Sequence, residues 1–264
     1  MPAAGSSGRR CALSEWKVAS DAKSRFTGRA GAYAKYRPPY PRGILEILAR
    51  EASFGSGSVV ADIGSGTGIL SSLFLENGNT VYCVEPNADM RSAAEEALSS
   101  FSGFRSVAGS AEETTLPDKS VDMVTAGQSF HWFNPSTASL ELRRISRNGK
   151  AAVIYNTRDR TGGLNTDYRE LVSRFGRNFS PVMGPGDEGL RLFFSSYRRF
   201  TLPNNRWLTL DGLRGRLLSA SYMPAEGEHA YGELMEAISD VFERHQKDGK
   251  VLMEMTTEIY LGSL

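Results

Sequence analysis

The chain has 264 residues and a formal net charge of +1, a length that favours one α/β domain with an elaboration. Hydrophobic residues make up 40% of it and charged residues 23%, as in ordinary globular proteins, and no apolar run approaches the roughly 18 residues of a membrane span. The near-neutral charge gives no electrostatic case for a nucleic acid or a membrane as partner. The two cysteines, Cys11 and Cys83, have no metal-type neighbours, so we expect no metal site and a reduced, cytoplasmic setting.

Residues 1–25 are rich in Ser, Ala and Gly and contain Arg9 and Arg10 but no apolar core. The segment therefore lacks the form of a secretory signal. Because such a composition buries too little apolar surface to order the backbone, we predict a disordered tail. An organelle transit peptide is the alternative, and the acidic residues Glu15 and Asp21 argue against it.

Two further segments precede the first predicted strand. Residues 26–40 are aromatic and basic, and Pro38 and Pro39 at their end stop any helix. Apolar residues at helical spacing over Gly43–Ala52 predict a helix with a purely structural role.

The next stretch, Val59–Leu70, has the sequence VVADIGSGTGIL. Its apolar start predicts a strand buried on both faces of a parallel sheet, and the residues from Ile69 onward recur at helical spacing. A strand that turns into a helix through Gly64, Gly66 and Gly68 presents backbone N–H groups and the positive helix end at one place. Glycine also lets a ligand approach the backbone closely. The stretch therefore predicts a nucleotide or nucleoside site.

The charges around the glycines indicate which kind of ligand is bound. The spacing is G-x-G-x-G rather than the G-x-G-x-x-G of dinucleotide-binding proteins. Asp62 precedes the first glycine by two residues and is a poor neighbour for a pyrophosphate but a good one for a cation. The second predicted strand, Thr80–Val84, ends at Glu85, where a carboxylate can accept hydrogen bonds from ribose hydroxyls. Because the loop has no Lys or Arg, we predict a site for a ribose and a positive charge.

The later chain continues the alternation of strands and helices that is typical of an α/β domain. After Asn156 the pattern becomes polar, and residues 158–225 are predicted to cap the site and select the substrate, with a return strand. Residues 226–264 are predicted to complete the core, which otherwise comprises residues 26–157. The predicted helices are Asp89–Phe101, Leu140–Arg147, Gly212–Tyr222 and Tyr231–His245, and the predicted strands are Phe104–Val107, Val121–Ala126, Ala151–Tyr155 and Lys250–Leu261, with strand-like character over Tyr197–Leu210.

Asp62, the three glycines and Glu85 resemble the first two motifs of class I S-adenosylmethionine-dependent methyltransferases. The resemblance continues in three later segments. Together these motifs resemble the small-molecule branch of the family, which has a methyltransferase type 11 domain and includes trans-aconitate methyltransferase-like proteins. This resemblance implies a Rossmann-like seven-stranded α/β sheet with helices on both faces and a helical cap. It also implies S-adenosylmethionine as cofactor and S-adenosylhomocysteine as product. The three segments are Gly109–Glu112, Leu116–Asp122 and Ala126–Phe133.

The resemblance further implies which residues form the cofactor site. The corner at Ser110 and Ala111 would hold the adenine, and Gln128 would lie beside the methionine half. For Glu112 the alternative is a carboxylate that stabilises a helix N-terminus through the helix dipole. The predicted cofactor-binding residues are Tyr33, Arg37, Asp62, Gly64, Ser65, Gly66, Gly68, Glu85, Pro86, Ser110, Ala111, Glu112 and Gln128.

Substrate contacts are predicted at the end of the fourth strand and in the insertion. His131 is the catalytic candidate, because a neutral imidazole can accept a proton from a hydroxyl or orient a carboxylate; the alternative is a histidine packed with Trp132 and Phe133. Guanidinium groups are well shaped for a carboxylate, and the alternative for them is a solvated helix face. The candidates in the insertion are Arg214, Arg216, Ser219, Ser221 and Tyr222, and the leading substrate candidates of the chain are Tyr36, Trp132, Arg214 and Tyr222.

The predicted reaction is in-line displacement at the methyl carbon by a small-molecule acceptor, with a carboxylate or hydroxyl oxygen favoured. Three alternatives stay open: methyl transfer to RNA or protein, a non-catalytic cofactor-binding module, and a nicotinamide-dependent oxidoreductase. The glycine spacing and the lack of a Tyr-x-x-x-Lys pair count against the last. The sequence is compatible with a monomer or a homodimer.

Overall fold

The computed structural model of the chain describes residues 36–159, 162–177, 184–220 and 222–264. The predicted tail at residues 1–25 and the cofactor candidate Tyr33 lie outside these ranges, as does Ser221. Within them, no helix is both long enough and apolar enough to cross a bilayer.

A mixed β-sheet forms the centre of the molecule. The strands are β1 (Val59–Ile63), β2 (Thr80–Val84), β3 (Phe104–Val107), β4 (Met123–Gly127), β5 (Lys150–Arg158), β6 (Ser196–Pro203), β7 (Arg206–Leu208), β8 (Val251–Met253) and β9 (Met255–Ser263). Seven of them lie side by side in the order β3-β2-β1-β4-β5-β9-β6, and β9 is antiparallel to both of its neighbours. Strands β7 and β8 form a separate antiparallel ribbon. The predicted seven-stranded sheet is confirmed.

Helices cover both faces of this sheet, as predicted. One face packs against α1, α2 and α3 through side chains such as Leu48 and Phe74. The other packs against α4 and α6 through side chains such as Leu142 and Phe193. The helices are α1 (Gly43–Ala52), α2 (Ile69–Glu76), α3 (Ala88–Leu98), α4 (Pro135–Ile145), α5 (Gly163–Phe175), α6 (Asp187–Phe193), α7 (Leu210–Leu218) and α8 (Tyr231–His245).

The starts of three helices are determined by capping side chains. Asn87 accepts a hydrogen bond from the backbone N–H of Met90 at the start of α3, and Thr209 caps α7 in the same way. At α4 the cap is Asn134, and Pro135 occupies the first helical position. The predicted start of this helix at Leu140 was therefore wrong by five residues, because the cap and the proline begin it earlier.

The predicted single strand Lys250–Leu261 is also wrong, because the backbone divides it at Glu254 into β8 and β9. The carbonyl oxygen of Glu254 accepts hydrogen bonds from Asn165 Nδ2 at 2.9 Å and from the backbone N–H of Asp159 at 3.2 Å. The backbone N–H of Met255 donates to Asn205 Oδ1 at 2.9 Å. These bonds replace ladder bonds at the division, so the two halves pair with different strands.

A second hydrophobic core lies outside the sheet, between α5, α7, α8 and β8. It contains Leu171, Leu213, Ile238 and Val251, all buried. The C-terminal helix α8 therefore packs on the helices of the insertion. The division of the chain at residues 157/158 and 225/226 stays a prediction.

The order of the strands determines where a ligand can bind. The chain proceeds from β1 outward to β2 and β3, and then returns to β4 and β5 on the other side of β1. Ligands of open α/β sheets bind at such a switch point, outside the carboxyl ends of the strands. This edge carries the glycine loop after β1, Glu85 after β2 and Gln128 after β4.

Candidate functional site

The glycine loop joins β1 to α2 with positive φ angles of 63° at Gly64, 57° at Gly66 and 82° at Gly68. A Cβ on Gly64 would lie 2.6 Å from the Cβ of Ser129, and a Cβ on Gly68 would lie 2.4 Å from a methyl group of Leu98. Neighbouring side chains therefore close the space at both outer glycines. A Cβ on Gly66 would meet no atom of the described residues within 4 Å, so the middle of the loop faces open space among them.

Glu85 connects this loop to the start of α3. Its Oε2 accepts from the backbone N–H of Gly66 at 3.0 Å, and its Oε1 accepts from the backbone N–H of Asn87 at 2.9 Å. The intervening Pro86 is half-buried. Burial raises the pKa of Glu85 although both N–H groups lower it. Each carboxylate oxygen retains a lone pair for a further donor.

Asp62 is enclosed beneath the loop, with 1% of its surface exposed. Its Oδ2 accepts from the Ser71 hydroxyl on α2 at 2.6 Å, and its Oδ1 accepts from the Thr125 hydroxyl on β4 at 3.1 Å. Burial raises the pKa of Asp62 to about 7. In this position the carboxyl group links three elements of the core, and a direct contact with a cationic ligand stays a prediction. Ser71 and Thr125 were not predicted as site residues, because the only signal of each in the sequence is a hydroxyl within an apolar segment.

Three buried polar atoms around the loop have no hydrogen-bond partner among the described residues. They are Ser65 Oγ, Thr67 Oγ1 and Gln128 Oε1. Gln128 has a φ of 56° and donates its Nε2 to the carbonyl oxygen of Asn156 at 3.1 Å, which leaves its oxygen as an acceptor. Burying an unpaired polar atom costs about 1–3 kcal/mol, so three of them at one sheet edge indicate a place for a polar ligand.

The predicted adenine corner follows β3. Ser110 Oγ accepts from the backbone N–H groups of Glu112 and Glu113 at 3.3 and 3.2 Å. Glu112 Oε1 accepts at 2.8 Å from the backbone N–H of Asn134, the residue that caps α4. Ala111 is buried in the hydrophobic core on the sheet face that α4 and α6 cover. The corner is thus a closed turn, and its contact with a cofactor stays a prediction.

His131 lies on the short 3₁₀ turn Phe130–Trp132 after β4. The hydroxyl of Tyr155 accepts from its backbone N–H at 3.1 Å and lies 3.0 Å from its Nδ1, and the Trp132 ring centroid is 4.7 Å from the imidazole centroid. If Tyr155 donates to Nδ1, Nε2 carries the proton and can bind an anion; if Nδ1 donates, Nε2 can accept a proton. Burial raises the pKa of Tyr155, so its phenol stays protonated and available as a donor.

A cavity of about 140 Å³ lies beside residues 36–40, which we call the arm. The Tyr36 hydroxyl donates to Asp211 Oδ2 at 3.2 Å, and a Cβ on Gly215 would lie 2.3 Å from the Tyr36 ring. The arm is attached to the sheet edge by Asn204, whose Nδ2 donates to Pro39 O at 3.0 Å. The cavity is lined by Tyr36, Arg37, Pro38, Arg206, Leu208, Gly212, Arg216, Met253 and Met255.

The structure brings some of the predicted substrate residues together and separates others. Tyr36 and Arg37 line the cavity, and Tyr222 lies close enough to Arg37 for that positive charge to lower its pKa, although burial raises it overall. Arg214 instead donates a hydrogen bond from its Nη2 to the Ser239 hydroxyl on α8 at 2.8 Å. The Trp132 ring packs beside the His131 imidazole after β4. Arg158 and Tyr168 were not predicted as site residues; the guanidinium carbon of Arg158 lies 4.4 Å from the centroid of the Tyr168 ring, in a cation–π contact.

Comparison with known proteins is consistent with this geometry. A model described as a methyltransferase domain matches residues 61–154, a range that begins within β1, ends within β5 and contains the glycine loop and Glu85. An uncharacterised methyltransferase of Mycobacterium tuberculosis is 32% identical over 203 residues, which cover 76% of this chain and 79% of that protein. The chain belongs to the methyltransferase family. The predicted enzyme class, a class I S-adenosylmethionine-dependent methyltransferase, is confirmed, and the trans-aconitate methyltransferase-like subgroup stays a prediction.

Solved structures support the fold of this methyltransferase. A protein assigned as a type II methyltransferase from Anaeromyxobacter dehalogenans matches with a TM-score of 0.64 and 23% identity, covering 86% of this chain and 98% of that one. A phosphoethanolamine N-methyltransferase of Haemonchus contortus, in complex with phosphomonomethylethanolamine and S-adenosylhomocysteine, matches with a TM-score of 0.51 and 17% identity, covering 89% of this chain and 57% of that one. At these identities the likeness concerns the fold alone. Among the described residues of the methyltransferase, no group of three or more His, Cys, Asp or Glu side chains could hold a metal ion.

Proposed function

We propose that this methyltransferase binds S-adenosylmethionine over the glycine loop and transfers its methyl group to a small-molecule acceptor, with a carboxylate or hydroxyl oxygen favoured. The observation that carries the proposal is the open space at Gly66 beside the Glu85 carboxylate. A backbone that approaches a ligand closely at a glycine, next to an acceptor for two ribose hydroxyls, suits a nucleoside.

The residues present fit this cofactor. Ser65 Oγ, Thr67 Oγ1 and Gln128 Oε1 are buried without partners among the described residues, and each can pair with a polar group of the cofactor. The loop between Gly64 and Gly68 has no Lys or Arg to neutralise a phosphate, and S-adenosylmethionine carries none. The S-adenosylhomocysteine in the Haemonchus contortus structure supports the same choice by analogy of fold.

S-adenosylmethionine supplies, when bound, a methyl group on a sulfonium whose positive charge is lost in the transfer. The work of this chain is to bind, to orient and to exclude water, and positioning can contribute roughly 7–11 kcal/mol in well-aligned cases. Glu85 would hold the ribose, and Gln128 Oε1 would accept from a donor at the end of β4. An ionised carboxylate acceptor needs no base, so His131 would donate to it from Nε2. A hydroxyl acceptor would need Nε2 of His131 as a general base.

The test compares two glycines that have the same backbone strain. Gly66→Ala and Gly149→Ala each place a Cβ at a φ near +60°, of 57° and 67°. At both positions the described part of the chain has no atom within 4 Å of that Cβ. Left-handed backbone costs an alanine about 1–2 kcal/mol, so we expect equal losses of thermal stability. Calorimetric titration with S-adenosylmethionine should show at least about tenfold weaker binding, or about 1.4 kcal/mol, for Gly66→Ala alone.

Glu85→Gln is the second variant, because it keeps the size of the side chain and removes its charge. This variant should bind S-adenosylmethionine more weakly than wild type. NAD is the control ligand, and neither wild type nor any variant should bind it. Failure of the wild-type protein to bind S-adenosylmethionine would overturn the proposal. Binding by wild type without methylation of any acid or alcohol would favour a non-catalytic module, and methylation of RNA or protein would reassign the acceptor.

A further inference from the structure

Arg216 is a buried guanidinium that has no carboxylate partner among the residues that the structure describes. It lies on α7 with 6% of its surface exposed and lines the cavity beside the arm. Among the described residues, its Nη2 lies 3.7 Å from Met255 Sδ, its Nε has no hydrogen-bond partner, and no salt bridge joins it to an acidic side chain. Burial lowers the pKa of Arg216 to about 10, so the side chain is still charged at neutral pH.

The surroundings of Arg216 are positively charged and phenolic. The charges of Arg37 and Arg158 both act on Arg216 and lower its pKa further, while Tyr168 and Tyr222 raise it. Arg37 lines the same cavity, and the guanidinium of Arg158 lies over the Tyr168 ring. Buried cations ordinarily have anionic partners, since an unpaired buried charge is strongly destabilising. Within the part of the chain that the structure describes, no carboxylate balances Arg216, and the positive charges near it favour the binding of an anion in the cavity that it lines.

We propose that the cavity at Arg216 binds an anionic group of the methyl acceptor, a carboxylate or a phosphate, through the guanidinium group of Arg216, with the positive charge of Arg37 beside it. This inference rests on the proposed function, which it deepens by making the acceptor an acid. The planar guanidinium is well suited to bidentate binding of either anion. The cavity of about 140 Å³ compares with roughly 30 Å³ for one water molecule in the liquid, so it admits a group of a few heavy atoms.

The position of the cavity suits an acceptor that extends toward the cofactor. The carbonyl oxygen of Pro38, which lines the cavity, accepts from Asn156 Nδ2 at 3.5 Å. Asn156 in turn accepts through its own carbonyl oxygen from Gln128 at the end of β4. An acceptor anchored at Arg216 would thus lie at the same sheet edge as the glycine loop. In this arrangement Arg216 binds the anionic group of the acceptor, and the reactive atom of the acceptor lies toward Gln128.

The experiment exploits the opposite effects that the proposal predicts for binding and for stability. Wild type, Arg216→Met, Arg216→Lys and the comparator Arg214→Met are melted and titrated with sodium succinate and with sodium phosphate, against sodium chloride of equal ionic strength. Arg214 lies on the same helix but is bonded to Ser239. In sodium chloride alone, Arg216→Met should melt above wild type, because it removes a buried charge that has no carboxylate partner among the described residues and keeps the packing volume. It should bind the anion at least tenfold more weakly, as should Arg216→Lys, whereas Arg214→Met should bind it as wild type does.

Succinate binding identifies a carboxylic acid acceptor, and binding of phosphate alone identifies a phosphorylated one. If neither anion binds wild type beyond the chloride control, or if Arg216→Met binds them equally well, the inference is overturned. A lower melting temperature of Arg216→Met with unchanged anion binding would show that Arg216 is only structural. S-adenosylmethionine is titrated into the same samples. Wild type that binds S-adenosylmethionine but no anion refutes this inference alone, and wild type that binds no S-adenosylmethionine refutes the proposed function.

Discussion

The buried carboxyl group of Asp62 should make this protein less stable as the pH rises from about 4 to 7. The pKa of Asp62 is about 7 in the folded protein, against 3.8 as its ordinary value, so the folded state binds the proton more tightly. Stability is then independent of this group below pH 3.8, falls between the two pKa values and is constant above pH 7. At 1.36 kcal/mol per pKa unit, the full effect is about 4 kcal/mol, of which about 2–3 kcal/mol falls between pH 5 and pH 8.

Asp62→Asn removes this titration and keeps the shape of the side chain. Urea unfolding at pH 5 and pH 8 gives the free energy of unfolding of both proteins, and the variant should gain about 2–3 kcal/mol relative to wild type between these pH values. Any pH-independent change in the bonds to Ser71 and Thr125 cancels in this comparison. Asp122→Asn is the control, since the pKa of Asp122 is lowered and its contribution is constant from pH 5 to 8. A difference between Asp62→Asn and wild type that does not change with pH, or that shrinks as the pH rises, would refute the reasoning.

Two further predictions concern the acceptor side of the site. His131→Gln keeps a hydrogen-bond donor but cannot act as a base. With a carboxylate acceptor, KM should rise about tenfold with little change in kcat, whereas with a hydroxyl acceptor kcat should fall about 10²–10⁴-fold. Unchanged steady-state kinetics would show that His131 is not part of the site. Gly215→Ala should displace the Tyr36 ring, from which its Cβ would lie 2.3 Å, raising the KM for the acceptor without affecting calorimetric binding of S-adenosylmethionine. Gly212→Ala on the same helix, where the nearest atom is 3.5 Å away, should instead stabilise the protein by up to about 1 kcal/mol, and equal melting temperatures for the two variants would contradict this account.

Much of the fold could be predicted from local patterns. The bounds of β1 and β2 agree with the predicted apolar runs, because a strand buried on both faces is largely apolar. The predicted bounds of the edge strand β3 are also correct, although Arg105 and Ser106 in it are exposed. The glycine loop and Glu85 were found for a similar reason, since backbone conformation and strand ends constrain the residues allowed there. A predicted helix start was wrong where a single capping side chain, rather than the spacing of apolar residues, determined it, as at Asn134 before α4.

The division of Lys250–Leu261 into β8 and β9 could not be predicted in this way. The whole segment alternates as one strand, and the division depends on bonds from Asp159, Asn165 and Asn205, which lie about 50 to 95 residues earlier in the chain. Strand propensity reflects the neighbours available for pairing. Those neighbours become known only when the chain is folded.

The sequence by itself thus determined the strands β1 and β2, the glycine loop, the position of Glu85 after β2 and the methyltransferase class, because each depends on residues within a short span. The tertiary structure alone decided that Asp62 is enclosed by Ser71 and Thr125 and that Arg216 is buried near Arg37 and Arg158. The physical reason is that burial and pairing of charges depend on segments far apart in the chain. A charged residue on a helix has the same sequence signal whether it faces water or a closed cavity.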